Sequence, residues 1–373
     1  HYGDWLALDR AGAVANSVYG ATDEAYIADI YYAASAQIVA KAAAVLGLEE
    51  TRQNYQAIAD RQWQVVKEEY FTATGRCAVK TQTGLVLALK YHLSDNERLT
   101  EQMLRKLLRD NKNKLNTGFV GTPLLCNVLT EHGMTDLAYR LLLNEEYPGW
   151  LHEVKLGATT VWERWNSLDE NGRISSTGMN SLNHYSYGAV LEWIFRHVAG
   201  IDVTEQGPGG KMMRISPKVD HTLGSASAVY DSASGCYRCG WQIENGDQIT
   251  VTVTVPFGAK AQVILPSAPD SVYHDTDNPL FETVENGICC VKAGQYTVTY
   301  KAASPLKKSY SVDSTLEDLL GEPAIRAFLS NMMEVDMIPD LAYGLTLRQA
   351  AEAFAGGVSA EQAQRLNVLL EEF

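Results

Sequence analysis

The run Gly157-Ala158-Thr159-Thr160-Val161-Trp162-Glu163-Arg164-Trp165 sets one carboxylate and one guanidinium between two indoles, and Asn183-His184-Tyr185 follows after a polar stretch. Aromatic faces stack on the C–H face of a pyranose. A carboxylate held beside them can orient or deprotonate a water that attacks an anomeric carbon. The same residues also suit a purely structural role, with Glu163 partly buried and paired with Arg164 in a helical core. As a base, Glu163 must be ionised in a pocket formed with Trp162, Trp165 or Trp5. Burial there raises a carboxyl pKa, and a nearby Arg164 holds it down. Asp4 and Trp5 make a second acidic and aromatic pair, in which Asp4 could hydrogen-bond sugar hydroxyls. Phe119 and Trp150 are further candidates for an apolar patch.

Other chemistries lack their residues. There is no phosphate-cradling glycine loop and no nucleophile elbow, and His152-Glu153 lacks the second His of a zinc peptidase. Cys236-x-x-Cys239 with Cys289-Cys290 raises zinc, but the vicinal pair fits structural knuckles poorly, and adjacent strand residues point to opposite faces. Reduced structural thiols are expected, with no metal and no cofactor. Such thiols favour a cytoplasmic setting over secretion.

These side chains need positioning elements. The apolar spacing predicts helices over Ala25–Leu46, Glu49–Phe71, Lys80–His92, Asn96–Arg109, Gly121–Glu131, Thr135–Glu145 and Leu182–Val198. Short connections imply antiparallel hairpins. The segments Asn116–Pro123 and Asn166–Asn180, polar and glycine-bearing, read as loops that line a cleft. Gly207-Pro208-Gly209-Gly210 breaks the pattern. Beyond it Gln248–Val255, Ala261–Leu265 and Tyr296–Tyr300 alternate apolar and polar residues, so 211–303 is expected to be an antiparallel β-sandwich. Its Tyr230, Tyr237, Trp241 and Tyr300 are expected in the core rather than on sugar. Over 311–373, Ser314-x-x-Glu317, Thr346-x-x-Gln349 and Ser359-x-x-Gln362 read as capping boxes of short amphipathic helices. Helices this short must pack on each other, on the rest of the chain or on a partner.

Several strings, in order, resemble the C-terminal part of α-L-rhamnosidases of glycoside hydrolase family 78: Gly3-Asp4-Trp5-Leu6, Thr81-Gln82-Thr83, Thr117 to Pro123, Ala138 to Leu142, Tyr147 to Leu151, Gly157 to Trp165, and Ser181 to Tyr185 with Gly188. The resemblance implies part of an (α/α)6 toroid over 1–206, carrying the catalysis, then the β-sandwich and a small helical accessory tail. It also implies an inverting hydrolysis that removes terminal α-L-rhamnose, with Glu163 as general base and with Trp5 and His184 at the sugar subsite, beside which Asp4 and Trp162 are expected as further substrate contacts from their own residue types. The family's general acid lies upstream of its Gly-Asp-Trp string, so the chain is expected to be a truncation or fragment that lacks it. The implied partner is a rhamnose-containing glycoside or oligosaccharide, with an upstream half-domain or a second copy covering the exposed half-ring.

At 373 residues, with 46% hydrophobic and 20% charged residues, the chain has ordinary globular composition and room for two or three units. A net charge of −14 disfavours nucleic acid and anionic lipid. No apolar run of about 18 residues predicts a membrane span. Two readings compete with hydrolysis: a non-catalytic carbohydrate-binding or assembly fragment, and a polysaccharide lyase with a Tyr or His base. The lyase reading calls for cleft cations that an acidic chain supplies sparsely.

Overall fold

A computed structural model describes residues 2–10, 17–169, 171–175, 178–275, 277–332, 334–339, 342–354, 356–371 and 373. The chain forms two compact units, residues 1–243 with 249–301, and residues 244–248 with 302–373.

The first unit opens with helical hairpins. Helix α1 (Glu24–Val45) starts where Asp23 accepts the Tyr26 N–H, and Gly47, at φ +70°, turns the chain into α2 (Glu49–Tyr70). A row of buried alanines, Ala33, Ala36, Ala40 and Ala43, lies along α1, which packs on α2. Helix α3 (Gln82–Lys90) is buried from Gln82 to Leu89, as expected of a central helix that is apolar nearly all round. Helix α4 (Glu97–Asp110) instead buries one stripe, Thr100, Leu104 and Leu108, at four-residue spacing. Helices α5 (Thr122–Glu131) and α6 (Thr135–Leu142) make the next hairpin, and a six-residue α7 (Trp150–Lys155), unforeseen in the sequence, follows.

The helix expected from Leu182 begins later. Residues 182–185 are non-helical, Ser186–Ala189 forms a 3-10 turn, α8 covers only Val190–Trp193, and a wide π turn spans Ile194–Val198. The reason is backbone competition: Leu182 O and His184 N–H bond to Thr160 and Val161 instead of closing a helical turn.

Among the described residues nine strands follow: β1 (Ile201–Val203), β2 (Met212–Ile215), β3 (Ser225–Ser232), β4 (Gly235–Glu244), β5 (Gln248–Val255), β6 (Lys260–Val263), β7 (Val284–Glu285), β8 (Ile288–Val291) and β9 (Gly294–Lys301). They form a five-stranded sheet in the order β1-β2-β6-β8-β7 and a four-stranded sheet in the order β3-β4-β5-β9. Two details differ from expectation. Strands β2 and β6 pair in parallel, because the chain crosses to the other sheet for β3 to β5 before returning. The glycine-rich stretch at 207–210 is the turn between paired strands β1 and β2, so strand structure begins at Ile201. Tyr237, Trp241 and Tyr300 are buried, and each ring's polar atom donates to a carbonyl; Tyr230 is exposed. Trp241 Nε1 reaches Val198 O at 2.7 Å, tying the sandwich to the last helical turn.

In the second unit α9 (Leu316–Gly321), α10 (Pro323–Ser330), α11 (Leu347–Phe354) and α12 (Ala360–Leu370) enclose a core that includes Val312, Leu319, Ile325, Leu329, Ala342 and Leu370. The short helices thus pack on each other. Thr346 with Gln349 and Ser359 with Gln362 make both bonds of a capping box. The first expected box is displaced by one residue: Thr315 caps α9 by accepting the Asp318 N–H, while Ser314 accepts from Ser311.

Candidate functional site

Three of the sequence strings meet at Asp4. Its carboxylate is fully buried and accepts from Thr83 Oγ1 at the start of α3, and from the backbone N–H groups of Gly118 (2.8 Å), Val120 (2.8 Å) and Gly121 (3.2 Å) just before α5. Donors converging ahead of a helix N-terminus form an anion cradle. Burial pushes the Asp4 carboxyl up, and these four bonds pull it back. The junction fixes the Thr117–Pro123 loop against the N-terminal segment: Phe119 N–H donates to Trp5 O at 2.9 Å and Leu8 N–H to Asn116 O at 2.8 Å. Gly118 is required here, because a Cβ would lie 2.2 Å from Trp5 O.

Glu163 lies on a second construction. Segments 160–163 and 181–184 run side by side: Thr160 Oγ1 donates to Leu182 O, His184 N–H to Val161 O (2.8 Å), and Glu163 N–H to Ser181 O (2.9 Å). Ser181 N–H returns a bond to Glu163 Oε2 at 3.0 Å. The carboxylate is half-buried and so oriented by its own neighbouring backbone. Arg164 is buried and donates Nη1 to Gly178 O at 3.0 Å; among the described residues no ion pair joins it to Glu163. Between the two clamped segments Leu168 and Ile174 make an isolated antiparallel bridge.

Beneath the clamp lies a bed of rings. Trp165 stacks on Tyr187 with centroids 4.0 Å apart and planes 12° apart, Trp150 meets Trp165 edge-on at 5.3 Å, and Phe119 meets Tyr187 edge-on at 5.5 Å. Their polar atoms are used: Trp165 Nε1 donates to Thr117 O, Trp150 Nε1 to Tyr187 O, and Tyr187 OH to Leu6 O. Above them Phe119, His184 and Tyr185 form a continuous stack, at 5.1 Å for each pair, and the last ring is 84% exposed. Ser186 N–H donates to His184 Nδ1 at 3.3 Å, so the neutral ring carries its hydrogen on Nε2.

Phe119 thus links Trp5, through a backbone bond, to His184, on whose ring it stacks, and Glu163 lies on the same clamp as His184. Trp5 is half-buried between Tyr2 and Tyr19, both edge-on at 5.4 Å. Trp162, at 2% exposure, faces the interior, as does Asp4, whose acceptor sites are taken; neither offers a surface to a ligand. Sequence reasoning missed Tyr187, Ser181 and Glu153. Tyr187 lies two residues past the Asn-His-Tyr string, and its signal was that proximity. Glu153 on α7 is 3% exposed, its Oε1 has no hydrogen-bond partner, and burial pushes its carboxyl up to about 8. Among the described residues no group of His, Cys, Asp and Glu is placed to hold a metal, and no helix is long and apolar enough to cross a membrane. Cys236 and Cys239 lie on β4 of one sheet and Cys289 and Cys290 on β8 of the other.

Successive helical hairpins whose loops carry a carboxylate beside aromatic rings, followed by a β-sandwich, define the first unit. The chain belongs to the bacterial α-L-rhamnosidase family: the bacterial α-L-rhamnosidase six-hairpin glycosidase domain matches residues 1–198 and the bacterial α-L-rhamnosidase C-terminal domain matches 200–278. It is 36% identical over 263 residues to an α-L-rhamnosidase of Formosa agariphila and 36% identical over 272 residues to one of an Alteromonas species, covering 69% and 71% of this chain. The chain spans only 28% and 29% of those relatives. Among solved structures, the Streptomyces avermitilis α-L-rhamnosidase complexed with L-rhamnose is similar with a TM-score of 0.69 and 31% identity, over 80% of this chain and 28% of that one.

Proposed function

We propose that this chain carries the general-base half of an α-L-rhamnosidase site, in which Glu163 activates water for inverting removal of a terminal α-L-rhamnose. The carrying observation is the clamp: a half-buried carboxylate held by Ser181 N–H, on the same pair of segments as an imidazole stacked between two rings. Of its two oxygens, Oε2 takes the Ser181 bond, which aims Glu163 without spending the other oxygen. That oxygen accepts a proton from water as the water attacks C1. His184 offers its Nε2–H to a sugar hydroxyl, and Trp5 and Phe119 supply apolar surface for the C6 methyl group of a 6-deoxy sugar. Asp4 and Trp162 brace these residues from below. An inverting reaction also needs a general acid about 6.5–9.5 Å from the base. We assign that acid to no residue of this chain. No cofactor enters this acid and base chemistry.

The test is nitrophenol release from p-nitrophenyl α-L-rhamnoside, whose leaving group needs little protonation. Turnover by the chain that drops about 1000-fold in Glu163→Gln, with rhamnose affinity retained, supports the reading. Equal rates in the variant and the parent rule Glu163 out. His184→Ala is expected to weaken rhamnose binding roughly tenfold by calorimetry; unchanged affinity removes His184 from the subsite.

A further inference from the structure

The ring stack above the clamp runs from half-buried side chains out to water. Phe119 and His184 are half-buried, and their planes lie 26° apart. Tyr185 continues the stack beyond His184, with planes 19° apart, and is 84% exposed. Among the described residues no other ring stacks on it and nothing bonds its hydroxyl. The fold uses only its backbone: Tyr185 O accepts the Gly188 N–H at 2.9 Å, a bond that any residue could make there. A second apolar side chain is held out at the other end of the same segment. Met179, two residues before Ser181, is 52% exposed and sits at φ +60°, a left-handed conformation that a methionine adopts only at a cost. Its turn is anchored by the buried Arg164, whose Nη1 donates to Gly178 O at 3.0 Å. Exposed apolar side chains therefore bracket the segment whose Ser181 N–H holds Glu163.

We propose that Tyr185 is a specificity-determining residue on the leaving-group side: its exposed ring takes the flat apolar face of the unit to which the terminal rhamnose is linked. This rests on the reading of Glu163 and His184 as the terminal-sugar site. The gradient of exposure sets the assignment. The sugar that is attacked occupies the more enclosed end of the stack, at His184 and Phe119, and the unit it leaves behind extends toward solvent, where Tyr185 lies. A tyrosine suits that place, because its rigid ring offers stacking area at small entropic cost while its hydroxyl stays in water. Two kinds of leaving unit present such a face, a second pyranose through its C–H bonds and an aromatic aglycone through its ring. The contact is made as fully before the glycosidic bond breaks as while it breaks, so it contributes to affinity and to the choice of glycoside, not to the rate of the chemical step.

The experiment is calorimetry in the Glu163→Gln chain, which keeps glycosides intact, with and without Tyr185→Ala. The probes are free L-rhamnose, p-nitrophenyl α-L-rhamnoside and a rhamnosyl-glucose disaccharide. Tyr185→Ala is expected to weaken at least one of the two glycosides about fivefold and to leave free L-rhamnose unchanged. Tyr185→Phe, which keeps the ring, is expected to keep all three affinities. A loss confined to the disaccharide identifies a sugar on the platform, and one confined to the nitrophenyl glycoside identifies an aromatic aglycone. The ring is so exposed that its removal leaves the fold intact, and the Phe variant separates loss of the ring from any local rearrangement. Unchanged affinity for both glycosides, or an equal loss for free L-rhamnose, overturns the proposal while leaving the terminal-sugar site standing. A Glu163→Gln chain that binds none of the three probes overturns that site, and the assignment of Tyr185 falls with it.

Discussion

At the Asp4 junction four donors from two separate segments meet one carboxylate, whereas the Glu153 carboxyl is buried with one oxygen orphaned. Both groups are buried, and burial raises both. The difference lies in what the surroundings stabilise. Converging amides and a hydroxyl oppose the burial of Asp4, and through them it staples the N-terminal segment to α3 and α5. Glu153 is left to be a neutral acid, cheap to hold at neutral pH and sensitive as the pH rises. One region is built for permanence and the other for a protonation state.

The strongest way to break that contrast is to remove the anion. Asp4→Ala strands three backbone N–H groups and a hydroxyl away from water, and is expected to cost about 4 kcal/mol. All seven tryptophans (Trp5, Trp63, Trp150, Trp162, Trp165, Trp193 and Trp241) lie in the first unit, so tryptophan fluorescence in urea reads that unit alone. A midpoint unchanged from the parent would deny Asp4 its stapling role. Gly118→Ala tests the same junction sterically. Its Cβ would lie 2.2 Å from Trp5 O and 2.6 Å from Ala7 N, backbone atoms with nowhere to go, and a loss of about 3 kcal/mol is expected. Wild-type stability in this variant would mean that the N-terminal segment is not clamped there. Thr83→Val removes one donor in four and keeps the shape; about 2 kcal/mol should be lost. A loss as large as that of Asp4→Ala would show that the hydroxyl, and not the converging amides, carries the staple.

The contrast also marks what a linear reading can see. Helices α1 and α2 were legible because their apolar spacing and caps, Asp23 and Gly47, are local. Strand β5 was legible because Ile249, Val251, Val253 and Val255 alternate into the core. Asp4 was read as a sugar contact because its donors lie 79 to 117 residues away, beyond any local pattern. The stretch Leu182–Tyr185 looked helical for the same reason: its backbone partners are at Thr160 and Val161, and such pairing overrides spacing. Trp162 and Trp165 were correctly placed beside Glu163 in sequence, yet both are buried, and the rings that reach outward are His184 and Tyr185. Glu153 carries no motif at all, since what distinguishes it is the water it lacks.

The smallest expected effect is the one that sharpens the comparison most, because it acts on Glu153 through pH and leaves Asp4 untouched. Glu153 is held at about 8 in the folded chain, above its ordinary value of 4.5, so the native state binds a proton that the unfolded chain has already lost. Its contribution is fully present below 4.5 and declines as the pH climbs to and through 8. Between pH 7 and pH 9 the parent should lose about 1.4 kcal/mol from this group, and Glu153→Gln, which has no proton to release, should lose correspondingly less. Urea midpoints at the two pH values, followed by tryptophan fluorescence, give the difference of differences. Tyrosines such as Tyr187, pushed well above 10, stay protonated across this window and do not confound it. Identical pH dependence in the parent and the Gln variant would place Glu153 among anions satisfied like Asp4, and the contrast between the two regions would collapse.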